Sequence, residues 1–197
     1  MVMQKLTSGI LIFILTAATL AMPSASVPRK SPELTIYEPS GKTTLLSSFK
    51  GKVVMIEFFF IRSPRCIEVA KTMNKLNAEL GASGFQPIAI AFPAPNSDVS
   101  GLLVGTVVNY LKLNYPVGYI NNKDEVDRYL SREQDEVLRI PQVVIIDRTG
   151  MIRAQTGGRD ANLKLEDEAY LRTLLDGLLK ESRPPDKPAR RLEKNLL

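Results

Sequence analysis

Residues 51–66 read GKVVMIEFFFIRSPRC, and this stretch decides the expected fold. Its first ten residues are mainly β-branched and aromatic and begin at a glycine, a pattern typical of a strand buried on both faces of a sheet. Ser63 and Pro64 then fit the N-cap and first-turn positions of a helix, with Cys66 at the third helical position. We therefore predict a central strand followed directly by a helix of about four turns.

Outward from this stretch, the sequence alternates strand and helix patterns. ELTIYEPSGKTTLLSSF (33–49) predicts a hairpin with a turn at PSGK. The remaining predicted elements are a buried strand at PIAIAF (87–92), an apolar helix (99–113), a charged helix (123–138), a hairpin (139–158) turning at Asp147–Gly150, and an amphipathic helix (169–178). This order predicts one three-layer α/β domain on a mixed sheet over residues 32–181.

The apolar helix contains Gly101 and Gly105 at the spacing of a membrane-helix dimer motif. Because the apolar stretch is short for a membrane span, we favour packing of this helix on the sheet.

Both ends of the chain differ from this pattern. Residues 1–25 carry a lysine flank and an apolar run with small residues at its end, which predicts an export signal. The protein is therefore expected to be periplasmic or secreted, with residues 6–25 either cleaved or kept as an inner-membrane anchor facing outward. Residues 26–31 are expected to be a linker, and 182–197 a charged, proline-containing tail.

Composition excludes several kinds of site. The chain has no histidine and one cysteine, so a Ser-His-Asp triad, a Cys-His pair, an intrachain disulfide and a thiolate metal cage are excluded. The net charge of +5 is spread along the chain, which argues against a nucleic-acid partner. We expect neither a metal nor an organic cofactor.

The order of elements and several segments resemble the thioredoxin superfamily, specifically the exported TlpA/ResA-like redoxins. The resemblance covers about residues 31–180. RSPRC (62–66) stands where that family has Trp-Cys-Pro-Pro-Cys, and RIPQVVIIDRTG (139–150) resembles its Ile-Pro-Thr-Thr-hydrophobic-Ile-Asp-Arg-x-Gly segment. The resemblance implies a thioredoxin-like α/β/α sandwich with an N-terminal β-hairpin extension. It also implies a cis peptide bond between Ile140 and Pro141, facing the 62–66 loop.

The sequence departs from that family at the attacking cysteine. The resemblance matches this cysteine to Ser63 and the resolving cysteine to Cys66. A serine hydroxyl does not ionise at neutral pH without a strong base, and no histidine is present to act as one. A single sulfur also cannot release a mixed disulfide. Ordinary dithiol–disulfide turnover is therefore not expected.

Two opposing influences act on Cys66. The helix N-terminus and the neighbouring Arg62 and Arg65 favour a thiolate, whereas burial would raise the pKa of the thiol. We expect the arginines to prevail slightly, with Ser63 donating a hydrogen bond to the sulfur. Pro64, Arg65, Ile140 and Pro141 would then shape the site together with Arg62.

Three functions are compatible with these residues. The leading hypothesis is an exported monothiol redoxin that acts on protein thiols or disulfides in redox homeostasis. The second is a non-catalytic binding module in which an extended peptide docks beside Pro141. The third is a peroxiredoxin-like thiol peroxidase, because SPRC (63–66) also fits the Thr/Ser-x-x-Cys signature of peroxiredoxins. In that case Phe59 replaces a family proline, and Arg139 would have to reach the sulfur.

Overall fold

The computed structural model describes residues 26–94, 97–132, 138–157 and 164–182. The predicted export signal and all but the first residue of the predicted tail lie outside the described residues. No helix within the described ranges is long and apolar enough to cross a membrane.

One mixed sheet contains all the strands of the described chain, and four helices pack against it. The strands are β1 (Arg29–Lys30), β2 (Thr35–Tyr37), β3 (Thr43–Leu45), β4 (Val53–Phe59), β5 (Phe85–Ala91), β6 (Val117–Tyr119), β7 (Gln142–Ile146) and β8 (Met151–Gln155). The helices are α1 (Pro64–Leu80), α2 (Gly101–Leu111), α3 (Lys123–Leu130) and α4 (Glu168–Lys180). The strand order is β1-β8-β7-β4-β5-β6-β2-β3.

Strand β4 lies near the middle of the sheet, as its sequence predicts, and all seven of its residues are buried. It pairs in parallel with β5 and antiparallel with β7. Because side chains alternate along a strand, β4 contributes to two separate core clusters. The cluster on one face includes residues of α1, α2 and α4, and the cluster on the other face includes residues of α3. This arrangement confirms the α/β sandwich.

The N-terminal part of the domain differs from the sequence-based expectation at one point. Strands β2 and β3 form the predicted hairpin. The segment 26–31, expected to be a linker, instead contributes β1, which pairs antiparallel with β8. Arg29 stabilises this strand, because its guanidinium donates hydrogen bonds to the Tyr129 carbonyl and to the Gln155 side chain. Two residues with little strand propensity are thus held in the sheet by tertiary contacts.

Helix α3 is shorter than the predicted charged helix at 123–138. It ends at Leu130 because Ser131 adopts a left-handed conformation with φ of 52° and closes the helix. Strand β5 begins at Phe85, two residues before the predicted start at Pro87, so Pro87 lies inside the strand. The Ala89 N–H donates to the Pro116 carbonyl, on the side of β5 that faces β6. The N of Pro87, two residues earlier, faces the same side, but β6 pairs with β5 only from Ala89 onward. The missing donor of Pro87 therefore costs no ladder bond.

The glycines of α2 serve packing. A Cβ on Gly101 would lie 3.4 Å from the Cα of Pro39, and one on Gly105 would lie 3.6 Å from its Cβ. Pro39 belongs to the turn between β2 and β3, so the small residues let this turn approach the helix backbone closely. The structure thus agrees with packing of α2 within the domain.

Candidate functional site

Two loops meet at one end of the sheet and carry the residues singled out from the sequence. Strand β4 ends at Phe59 and β7 begins at Gln142, and their antiparallel register places Phe58 opposite Gln142. Residues 60–63 and 139–141 therefore emerge side by side. Ile61 and Ile140 both pack against the core cluster that contains Cys66. The Ile140–Pro141 peptide bond is cis, as the resemblance implied.

The start of α1 has the predicted capping. Ser63 is the N-cap in an extended conformation, and its Oγ accepts a hydrogen bond from the Cys66 backbone N–H at 3.4 Å. Pro64 occupies the first helical position, where its missing N–H costs nothing. Cys66 therefore lies at the third helical position, near the positive end of the helix dipole.

Cys66 is nevertheless a core residue. Only 1% of its surface is exposed, and it packs among apolar side chains of α1 and the sheet. Burial raises the pKa of the Cys66 thiol, because it disfavours the charged thiolate. Hydrogen bonds from the Ser63 side chain and the Phe60 backbone act in the opposite direction but do not overcome burial. At neutral pH the sulfur is therefore a protonated thiol.

Arg62 and Arg65 do not stabilise a Cys66 thiolate as expected. Arg65 forms a bidentate ion pair with Glu166, with Nη2–Oε1 and Nε–Oε2 distances of 2.6 and 3.1 Å. Its charge is thus matched to a carboxylate outside α1. Arg62 is exposed, and no arginine of the described chain donates a hydrogen bond to Cys66. The expectation that Arg62 and Arg65 prevail over burial is therefore wrong.

Glu57 is a second buried ionisable group at this site, and the sequence reasoning missed it. It lies in the middle of β4 with no exposed surface, and neither carboxyl oxygen has a hydrogen-bond partner. Burial, assisted by the charge of Glu166, raises the pKa of Glu57 well above its ordinary value. Burial without a hydrogen-bond partner therefore favours the neutral form of this carboxyl group. The signal was available, because Glu57 is the one charged residue within VVMIEFFF.

Neither end of the domain offers an evident metal site. The described ranges contain no group of three or more cysteine or acidic side chains placed to hold an ion.

A groove of about 790 Å³ lies at the opposite end of β4, between the segment 30–33, the 3₁₀ turn Leu46–Phe49 and the β7–β8 turn. It does not include Cys66. The loops around Pro141 therefore remain the candidate functional site.

Comparison with known proteins agrees with this geometry. The sequence pattern of the redoxin family matches residues 21–174, which is most of the chain. The chain belongs to the redoxin family. The chain is 23% identical over 148 residues to the thiol-disulfide oxidoreductase ResA of Bacillus thuringiensis subsp. konkukian, covering 75% of this redoxin and 78% of that protein.

Solved structures show the same fold. A thiol:disulfide interchange protein of the thioredoxin family from Chlorobium tepidum superposes with a TM-score of 0.62 at 20% identity, covering 79% of this chain and 99% of that one. A thiol:disulfide interchange protein from Bacteroides sp. gives 0.61 at 18% identity, covering 79% and 91%. This redoxin therefore has the thioredoxin fold, whereas its activity must be argued from its own residues.

Proposed function

We propose that this redoxin is exported and acts in thiol–disulfide metabolism by binding an extended segment of a partner protein beside Pro141, without dithiol turnover. The burial of Cys66 carries the proposal. A thiol that is 1% exposed and has a raised pKa is a poor nucleophile at neutral pH, and Ser63 cannot replace it. Binding, in contrast, needs only the surface between the two loops, here called the groove.

The loop geometry supports peptide binding. Residues 60–63 and 139–141 continue two paired strands at the sheet end, and their backbone leaves the β4–β7 ladder beyond Phe58 and Gln142. The carbonyls of Phe60 and Arg139 accept hydrogen bonds from Ser63 and Gln142, so a partner would use the other backbone groups of these loops. Ile61 and Ile140 are half-buried, so each keeps apolar surface that a partner can cover. An extended segment can then gain backbone hydrogen bonds and apolar contacts together.

Monothiol chemistry at Cys66 is the second candidate, and one observation favours it. The Ser63 hydroxyl and the Phe60 backbone both hydrogen-bond in the direction that favours the thiolate. The sulfur also lies at a helix N-terminus, whose dipole acts in the same direction. A peroxidase function has less support, because no arginine of the described chain contacts the sulfur and Arg139 is exposed.

Alkylation of Cys66 separates these functions. The folded full chain is treated with iodoacetamide between pH 7 and 9, and the rate is compared with that of the urea-unfolded chain. The binding function predicts that the folded protein reacts at least about a hundredfold more slowly, because the sulfur must be exposed first. A folded rate equal to or above the unfolded rate would instead establish a poised thiol. Insulin reduction with a thiol reductant should stay at background in the same preparation.

A further inference from the structure

We infer that Arg62 and Arg139 make the groove selective for partner segments that carry carboxylates next to apolar side chains. The inference rests on the proposed function, because it describes what the groove beside Pro141 binds. The redox hypothesis assigned Arg62 to the thiol and gave Arg139 no role.

The two arginines lie on the two loops of the site. Phe58 pairs with Gln142, and the antiparallel chains diverge from this pair toward residues 60–63 and 139–141. Arg62 is four residues beyond Phe58, and Arg139 is three residues before Gln142. The two residues therefore lie on the two loops that emerge side by side beyond this pair.

Neither guanidinium has an acceptor among the residues that the structure describes. Arg62 and Arg139 are exposed and take part in none of the side-chain hydrogen bonds or ion pairs of the described residues. Most other arginines of the described chain are occupied. Their acceptors are side-chain or backbone oxygens, as for Arg29, Arg65, Arg132, Arg148, Arg153 and Arg172. Two free guanidiniums at one site leave bidentate donors available to carboxylates.

The carboxyl groups of the site do not neutralise these arginines. Glu166 is held by Arg65 at 2.6 Å. Glu57 is fully buried without a hydrogen-bond partner, and burial raises its pKa, which favours its neutral form. The rim of the groove therefore carries positive charge, and the half-buried Ile61 and Ile140, which pack against the Cys66 cluster, form its apolar part. An extended segment that alternates acidic and apolar residues complements both features.

Binding of two matched peptides tests the inference. The probes are short blocked peptides, one alternating leucine with aspartate and the other alternating leucine with asparagine. We expect the full chain to bind the aspartate peptide about tenfold more tightly at low salt, and the preference to shrink as ionic strength rises. Arg62→Ala and Arg139→Ala should each lower affinity for the aspartate peptide about three- to fivefold and leave the asparagine peptide unaffected.

Arg128→Ala is the control, because Arg128 is also exposed and unpaired but lies on α3, against the other face of the sheet. It should leave both affinities unchanged. Equal binding of the two peptides would overturn carboxylate selection while leaving groove binding intact. An equal loss in the Arg128→Ala variant would overturn it too, because the effect would then reflect net charge alone. Binding of neither peptide would overturn both the proposed function and the inference.

Discussion

Glu57 and Cys66 lie on the same side of the sheet, and ionisation of the Glu57 carboxyl would raise the pKa of the Cys66 thiol. Both groups are buried, and burial favours the neutral form of each. The folded site therefore favours the protonated form of both the carboxyl group and the thiol. Burial of the sulfur opposes formation of a thiolate here, and ionisation of the nearby Glu57 carboxyl would oppose it further.

The Glu57 carboxyl should make the protein less stable as pH rises. Its folded-state pKa is raised, so the folded state keeps a proton that the unfolded state releases above about 4.5, the ordinary value. The free energy of unfolding therefore falls from that pH up to the folded-state pKa. Glu57→Gln should match wild type near pH 4 and be increasingly more stable toward pH 8, measured by urea denaturation at each pH. Glu68→Gln, at an exposed position, should show no such gain. A constant difference between Glu57→Gln and wild type at every pH would contradict the buried neutral carboxyl.

A second cysteine at position 63 should restore a disulfide. Ser63 and Cys66 are the N-cap and third helical residues of α1, a separation that a disulfide can span. Ser63→Cys is expected to form an intrachain bond under mild oxidation, detected as loss of both free thiols by mass spectrometry. Ser48→Cys is the control, because β4 separates it from α1 by about 23 Å at roughly 3.3 Å per residue. The control should keep both thiols, and two free thiols remaining in Ser63→Cys as well would show that the side chains at 63 and 66 point apart.

Arg65 should matter little to the thiol. Its partner Glu166 is a partly exposed carboxylate, and such ion pairs contribute about 0.2–1 kcal/mol. Arg65→Ala is expected to lower the free energy of unfolding by less than about 1 kcal/mol and to change the alkylation rate of folded Cys66 by less than about twofold. Time courses of Cys66 alkylation by iodoacetamide at pH 8 measure this rate. A tenfold fall in rate would assign Arg65 to the thiolate after all.

Two glycines offer a matched test of packing. A Cβ on Gly118 of β6 would overlap Ile36 and lie 2.9 Å from the Tyr37 carbonyl oxygen, both in β2. Gly118→Ala should therefore destabilise the protein by about 2 kcal/mol. Gly177 lies inside α4 with nothing within 4 Å of such an atom, so Gly177→Ala should stabilise by about 0.5–1 kcal/mol. Urea midpoints of the two variants should move in opposite directions. A shift of the same sign in both would show that space at the Cβ does not decide the outcome.

Much of the fold follows from local sequence. The apolar run of β4, the Ser-Pro start of α1 and the turn at Asp147–Gly150 are each specified by neighbouring residues, and the structure agrees with all three. Strand β1 could not be predicted in this way, because Arg29 and Lys30 become a strand only where β8 offers an edge. Local pattern also overextended α3, since it does not show that Ser131 adopts a left-handed conformation.

The site was predictable in position but not in chemistry. The motif around Ser63 and Cys66 locates the site, because capping signals are local. Exposure of the sulfur depends on Ile61, Ile140 and the helices packed behind them, which come from distant parts of the chain. The partner of Arg65 is likewise about a hundred residues away, and spacing in the sequence does not reveal it.

The short outer strands have a consequence for behaviour in concentrated solution. The sheet is bounded by β1, with two residues, and β3, with three, so each edge presents few unpaired backbone groups to another chain. Strand β1 also covers Met151 and Ile152 of the longer β8. Residues 26–31 thus protect this edge of the sheet from edge-to-edge aggregation. A chain that began after them would expose the five-residue strand β8 as a template for fibril-like pairing.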